Sequence, residues 1–154
     1  MITLKIRTTI YPSEDLEQIK RIFEYFYPFS LSTESEEIKI SESNDIHKSI
    51  ASATINGLHA LDFLFTQVRK QRIVEAVRKF VLERMDINNN ICKFLLHKQI
   101  LTKGSIVLCS EPEESPLGPV EIEISAENIE YVLNYLFPET EHGKVLEVSY
   151  IPEE

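Results

Sequence analysis

The sequence predicts an α+β fold, a largely antiparallel sheet with helices packed on one face, and three observations carry that expectation. Apolar and polar residues alternate at 2–10 and 120–124, the period of half-buried strands. Apolar residues recur at helical spacing from Leu16 to Phe26, from Leu58 to Met85 and after Ser125. Most neighbouring strands are joined by short links, which favours antiparallel pairing. At 154 residues the chain has the size of one domain, 1–154. A domain of that size buries roughly two-thirds of the surface its unfolded chain exposes.

Ile2, Leu4, Ile6 and Ile10 mark the inward face of the first strand, which Pro12 ends. Ser13 is the expected helix N-cap, with Glu14 and Asp15 near the positive end of the helix dipole. Leu16, Ile19, Ile22, Phe23 and Phe26 follow at helical spacing until Pro28 stops the helix. Ile38 and Ile40 suggest a second strand. Residues 41–49 read as a polar loop, and 49–55 as a weak strand hairpinned to the second. From Leu58 to Met85 the pattern predicts two helices, or one kinked near Arg69–Arg72. Residues 87–90 are a turn. Residues 91–98 and 105–110 are expected strands, with Lys98, Lys103 and Gly104 in the loop between them. After a proline-rich connection, 120–124 forms a strand, Ser125 caps a helix through Phe137, Pro138 stops it, and 144–151 closes the chain as a strand or tail.

Strand, Ser cap, helix and Pro occur at both ends of the chain, which suggests an internal β-α-β repeat over 2–41 and 120–149. Aligning Pro28 with Pro138 pairs Ile19 with Ile129, Ile22 with Val132 and Phe23 with Leu133. Two unrelated amphipathic helices on one sheet would match comparably.

Composition narrows the function classes. Four Gly and seven Pro without a low-complexity tract fit a folded chain. No apolar run approaches the roughly 18 residues needed to cross a bilayer, and the N-terminal residues lack the apolar core of a signal peptide. A cytoplasmic protein without a membrane partner is expected. Cys92 and Cys109 are too few for a disulfide framework or a four-thiolate zinc site, and reduced, buried thiols are the expectation. The four histidines are scattered, so no metal is expected. There is no glycine-rich phosphate loop and no nucleophile elbow, and the carboxylates offer no distinguishable pair. No catalytic residue or cofactor is assigned, and the protein is expected not to be an enzyme.

The formal net charge of −9 is unevenly distributed. Arg69 to Lys103 holds nine Lys and Arg against three acids, while the remaining sequence holds seven against 22. Screening limits the reach of the distant acids to about 10 Å at ordinary salt, so a local cationic surface can coexist with an acidic protein. On a helical wheel, Val74, Val77, Phe80 and Val81 share the buried side of Ile73. Glu75 can pair with Arg72, Arg78 or Lys79, and Lys79 with Glu83, each pair contributing only about 0.2–0.5 kcal/mol. Arg69, Lys70, Lys93, Lys98 and Lys103 have no such neighbour. An ordinary solvated face and a nucleic-acid surface both remain open on charge alone.

Four segments in order, 10–23 (IYPSEDLEQIKRIF), 69–79 (RKQRIVEAVRK), 94–104 (FLLHKQILTKG) and 115–124 (SPLGPVEIEI), resemble the archaeal uncharacterised protein family 0201 over nearly the whole chain. Departures include His97 before Lys98–Gln99, Val74–Glu75 for Leu-Asp, and the more apolar 49–68 with Phe63 and Phe65. The resemblance implies an α+β fold similar to ribosomal protein L five, and RNA binding. Its matched polar residues are Gln71, Arg72, Arg78, Lys98, Gln99, Ser115 and Gly118. Together with the basic segment it makes Arg69, Lys70, Arg72, Arg78, Lys98 and Lys103 the candidate RNA-binding residues. The alternative is a protein-interaction or oligomer-forming module, such as a homodimer, built on the aromatic 23–29 segment or on Phe63 and Phe65.

Overall fold

The structure, a computed structural model, describes residues 1–27, 39–42 (as backbone) and 48–152. Pro28, Phe29, Ile38 and the 43–47 link lie outside the described residues.

In chain order the elements are β1 (Thr3–Ile10), α1 (Leu16–Glu24), β2 (Lys39–Glu42), β3 (Ser49–Asn56), α2 (Asp62–Lys70), α3 (Val74–Leu82), β4 (Met85–Asp86), β5 (Ile91–Leu96), α4 (Lys98–Thr102), β6 (Leu108–Cys109), β7 (Val120–Ser125), α5 (Ile129–Leu136), β8 (Thr140–Glu141) and β9 (Lys144–Val145). Among the described residues seven strands form one sheet in the order β2-β3-β1-β7-β5-β4, with β6 also paired to β5. Every pairing is antiparallel. The α+β expectation therefore holds.

Register decides the two faces. Ile6 lies between Ala53 and Ile122, and Phe94 lies beyond Ile122, so one row of apolar side chains crosses β3, β1, β7 and β5. With the rows of Leu4 and Thr8 it forms the inner face, packed in one core cluster with Ile19, Ile22 and Phe23 of α1, Leu64 and Val68 of α2, Val77 and Val81 of α3, and Leu133 and Leu136 of α5. The outer face carries Lys5, Arg7, Lys93, Glu121 and Glu123. Glu123 sits between Lys5 and Lys93 at 3.5 and 3.4 Å.

Several boundaries differ from the expectation. The cap of α1 is Asp15, whose Oδ1 accepts the Glu17 N–H at 2.9 Å, and the cap of α5 is Asn128, whose Oδ1 accepts the Tyr131 N–H at 3.1 Å. Ser13 and Ser125 lie two and three residues too early. Residues 98–102 are a short helix, where a loop was expected, and of 105–110 only Leu108–Cys109 pairs as a strand. The second half of the suggested repeat ends in Lys144–Val145, which pairs with β8 in a separate hairpin outside the large sheet. The two thiols are free and buried. Cys109 lies opposite Leu95 and Cys92 opposite Met85 and Ile124, so they are not register partners.

The break between α2 and α3 falls where the pattern placed it. Ile73 N–H donates to Val68 O at 3.0 Å and Arg72 N–H to Arg69 O at 3.1 Å. These bonds form a Schellman closure of α2. It requires left-handed backbone at Arg72, where φ is 58°.

Candidate nucleic-acid interface

The six expected phosphate-contacting cations divide into two groups of three. Arg69, Arg78 and Lys98 are committed inside the protein. Lys70, Arg72 and Lys103 are exposed and, among the described residues, enter no ion pair or side-chain hydrogen bond.

Arg69 and Arg78 converge from α2 and α3 on the C-terminal end of α5, where the last carbonyls have no intrahelical donors and the dipole is negative. Arg69 Nη1 donates to Leu136 O at 2.9 Å and to Phe65 O at 2.8 Å, and its Nη2 donates to Tyr135 O at 3.2 Å. Its Nε and Nη2 also grip the Glu147 carboxylate bidentately, at 2.9 and 2.7 Å. The guanidinium lies 3.4 Å from the centre of the Phe65 ring. Arg78 Nη1 donates to Phe137 O at 2.8 Å and to Asn134 Oδ1 at 2.9 Å. Expected to face phosphate, these two arginines instead satisfy a helix end. Local charge patterning could not show this, because the acceptors lie about 60 residues away in sequence.

Glu147 ties the C-terminal segment to the helix layer, with Leu146 N–H donating to Glu139 O at 2.8 Å and Tyr150 stacked on Tyr131 at 3.7 Å. The Arg69 hydrogen bonds hold the Glu147 carboxyl below the ordinary glutamate value of 4.5. A depressed folded value stabilises the folded state above the unfolded value, and that contribution disappears as pH falls through the folded one. Stability should therefore drop slightly below pH about 4.5 in the wild type and less in Glu147→Gln. Because Glu147 is 51% exposed, screening keeps the difference under about 1 kcal/mol. Urea midpoints of both proteins at pH 7 and pH 3.5 check this expectation.

Lys98 is 1% exposed. Its ammonium donates to Thr9 O and Leu117 O, each at 2.6 Å, and to Glu14 at 3.0 and 3.2 Å. Burial pulls its pKa below the usual lysine value of 10.5, opposed by the Glu14 hydrogen bond and charge. Around it, Lys98 N–H donates to Ser115 Oγ at 3.0 Å, Ser115 Oγ donates to Gly118 O at 2.9 Å, and Gln99 Nε2 donates to Pro116 O at 2.8 Å. Three of the segments that carry the resemblance thus meet in one buried polar cluster. Lys98 is a structural cation, not an exposed phosphate contact. Glu14, expected only as a dipole-compensating acid, is its buried partner.

The free cations lie on the α2–α3 corner and on the segment after α4. Gln71 joins these two segments. Its Nε2 donates to Ile106 O at 3.0 Å, and its Oε1 accepts the Ile106 N–H at 2.7 Å. Lys103 lies three peptide units before Ile106, at most about 11 Å of chain. Arg69 is two residues from Gln71, about 200° around the helix, and faces away from this junction. Tyr25 closes the other side of the loop, its hydroxyl donating to Thr102 O at 3.0 Å while its ring stacks on Phe63 at 5.1 Å. Gly104, at φ 84°, accommodates it, since an added Cβ would lie 3.3 Å from the Tyr25 oxygen.

A family model described as RNA binding matches residues 3–137. The chain belongs to that family. Among its relatives, a protein of the uncharacterised family 0201 from Sulfolobus acidocaldarius is 29% identical over 154 residues, covering all of this chain and 99% of the relative. A second, from Metallosphaera sedula, is 29% identical over the full length of both chains. The crystal structure of the family 0201 protein from Methanococcus jannaschii superposes with a TM-score of 0.75 at 20% identity, over 94% of this chain and 99% of that one. That likeness supports the fold. Among the described residues no helix is long and apolar enough to cross a membrane.

Proposed function

We propose that this protein binds RNA without catalysing a reaction on it, through backbone phosphates held by Lys70, Arg72 and Lys103. The observation that supports the reading best is the contrast among the six cations. Three, Arg69, Arg78 and Lys98, hydrogen-bond to carbonyls and polar side chains within the fold. The other three are solvent-facing, on two segments bonded together at Gln71. The family's description points to the same class of ligand. Phosphate contacts of this kind give salt-dependent affinity with little base selectivity. The outer sheet face is the weaker candidate, because Glu123 lies between Lys5 and Lys93 there.

Fluorescence anisotropy with a labelled single-stranded RNA of mixed sequence tests the reading. The triple variant Lys70→Glu, Arg72→Glu, Lys103→Glu should lose binding at low salt, whereas Lys5→Gln with Lys93→Gln should retain it. Binding that survives the triple charge reversal and disappears in the sheet-face pair would move the site to the sheet. No binding by the wild type at low salt would reject the function.

A further inference from the structure

We propose that Arg72 is the principal phosphate contact of this surface, kept there against a backbone cost, and that Gln71 is its positioning residue; the inference rests on the RNA-binding reading. The residue after a Schellman C-cap adopts left-handed backbone, a position glycine fills most readily and asparagine next. Arg72 occupies it at φ 58°. A side chain with a Cβ is disfavoured in that conformation. A long cation placed there therefore weakens the helix end unless its far end gains something.

Within the described protein it gains nothing. Arg72 is exposed and meets neither a carboxylate nor a carbonyl. Two of the other left-handed residues that are not glycine have local compensation. Leu117, at φ 63°, presents its carbonyl to the buried Lys98 ammonium at 2.6 Å. Asn90 belongs to a residue type that tolerates the region, and its Oδ1 accepts the Ile129 N–H at 3.3 Å. His142, at φ 51°, lies with Gly143 in the tight β8–β9 turn, and histidine is among the residue types enriched in this region. Arg72 combines an unfavourable backbone with a free charge, beside Lys70 in its own segment and on a corner that Gln71 bonds to the segment carrying Lys103. A residue that breaks the local rule without a folded-state return points to a ligand.

Gln71 makes the second half of the argument. Its amide pairs with both backbone groups of Ile106 as a neighbouring strand would, and Gln67 Nε2 donates to its Oε1 at 2.9 Å, fixing the amide's orientation. The strained corner and the Lys103 segment are thereby held as one unit. Arg72 and Lys103 are then presented to RNA in a fixed relation, and their contributions to binding are coupled.

Thermal melts and anisotropy titrations with a single-stranded RNA of about 12 nucleotides test both parts. Arg72→Gly should raise Tm by about 2–4 °C and weaken RNA binding about tenfold. Arg72→Lys should keep most of the affinity without the gain in Tm, and Lys103→Gln should leave Tm unchanged. In the wild-type background the effects of Arg72→Gly and Lys103→Gln should be non-additive, and in Gln71→Ala they should add. A merely structural glutamine would lower Tm without altering that coupling. Arg72→Gly that binds RNA like the wild type, or that loses stability, overturns the role of Arg72. The same non-additivity in Gln71→Ala overturns the role of Gln71. A wild type that binds no RNA removes the functional reading and this inference together, whereas a wild type that binds while Arg72→Gly is unaffected removes the inference alone.

Discussion

Lys98→Met should be the most destabilising of the cation substitutions, costing about 3–5 kcal/mol. The lysine stem would be replaced by an apolar chain of similar length, so packing changes little. The electrostatics change greatly. Glu14, 7% exposed, loses the ammonium that faces both its oxygens, and the carbonyls of Thr9 and Leu117 lose a donor at 2.6 Å. An isolated buried carboxylate is unfavourable by several kcal/mol and takes up a proton at the expense of folding. Leu117 is also left at φ 63° without the bond that offsets its backbone conformation. Adding Glu14→Gln to Lys98→Met should recover a substantial part of the loss, because no charge is then stranded. Urea unfolding of the three proteins at pH 7 reads the effect. A loss under 1 kcal/mol for Lys98→Met would mean that Lys98 does not hold this cluster.

Arg69→Met should cost about 2–4 kcal/mol, whereas its neighbour substituted as Lys70→Gln should stay within about 0.5 kcal/mol of the wild type. The two residues are adjacent in sequence and equal in charge. They differ in partners. The Arg69 guanidinium, whose side chain is 16% exposed, satisfies Tyr135 O and Leu136 O at the end of α5 and grips Glu147. Removing it uncovers acceptors in a partly buried place and frees the C-terminal segment that Glu147 ties down. Among the described residues Lys70 has no side-chain bond to lose. Denaturant midpoints of the two single variants, measured side by side, check the contrast. Equal effects would show that the bonding of Arg69 contributes little to the fold.

The same contrast shows how much was legible in the sequence. The strand faces were readable because Ile2, Leu4 and Ile6, like Ile122 and Ile124, obey a period that only one buried face produces. The break near Arg72 was readable because the apolar stripe of α2 stops at Val68 and restarts at Ile73. The caps were misplaced because Ser13, Glu14 and Asp15, or Ser125 and Asn128, offer several capping oxygens within one turn, and tertiary packing chooses among them. Helix α4 spans five residues, too few to show a period. For the site, sequence located the cations without their partners. Whether an arginine ends on a phosphate or on a helix carbonyl depends on contacts across the fold, such as Arg78 to Phe137 O or Lys98 to Glu14. The left-handed conformation of Arg72 also depends on where α2 ends, which local pattern fixes only to within a residue or two.

The salt dependence of RNA affinity, measured on the wild type and on the triple variant Lys70→Gln, Arg72→Gln, Lys103→Gln, tests the central claim most directly. Each phosphate contact to a single strand contributes about 0.7 to the slope of log affinity against log salt. Three contacts predict a slope near −2 for the wild type and a slope near zero for the triple variant, with the melting transition preserved. An undiminished slope in the folded triple variant would contradict the assignment of these residues to RNA.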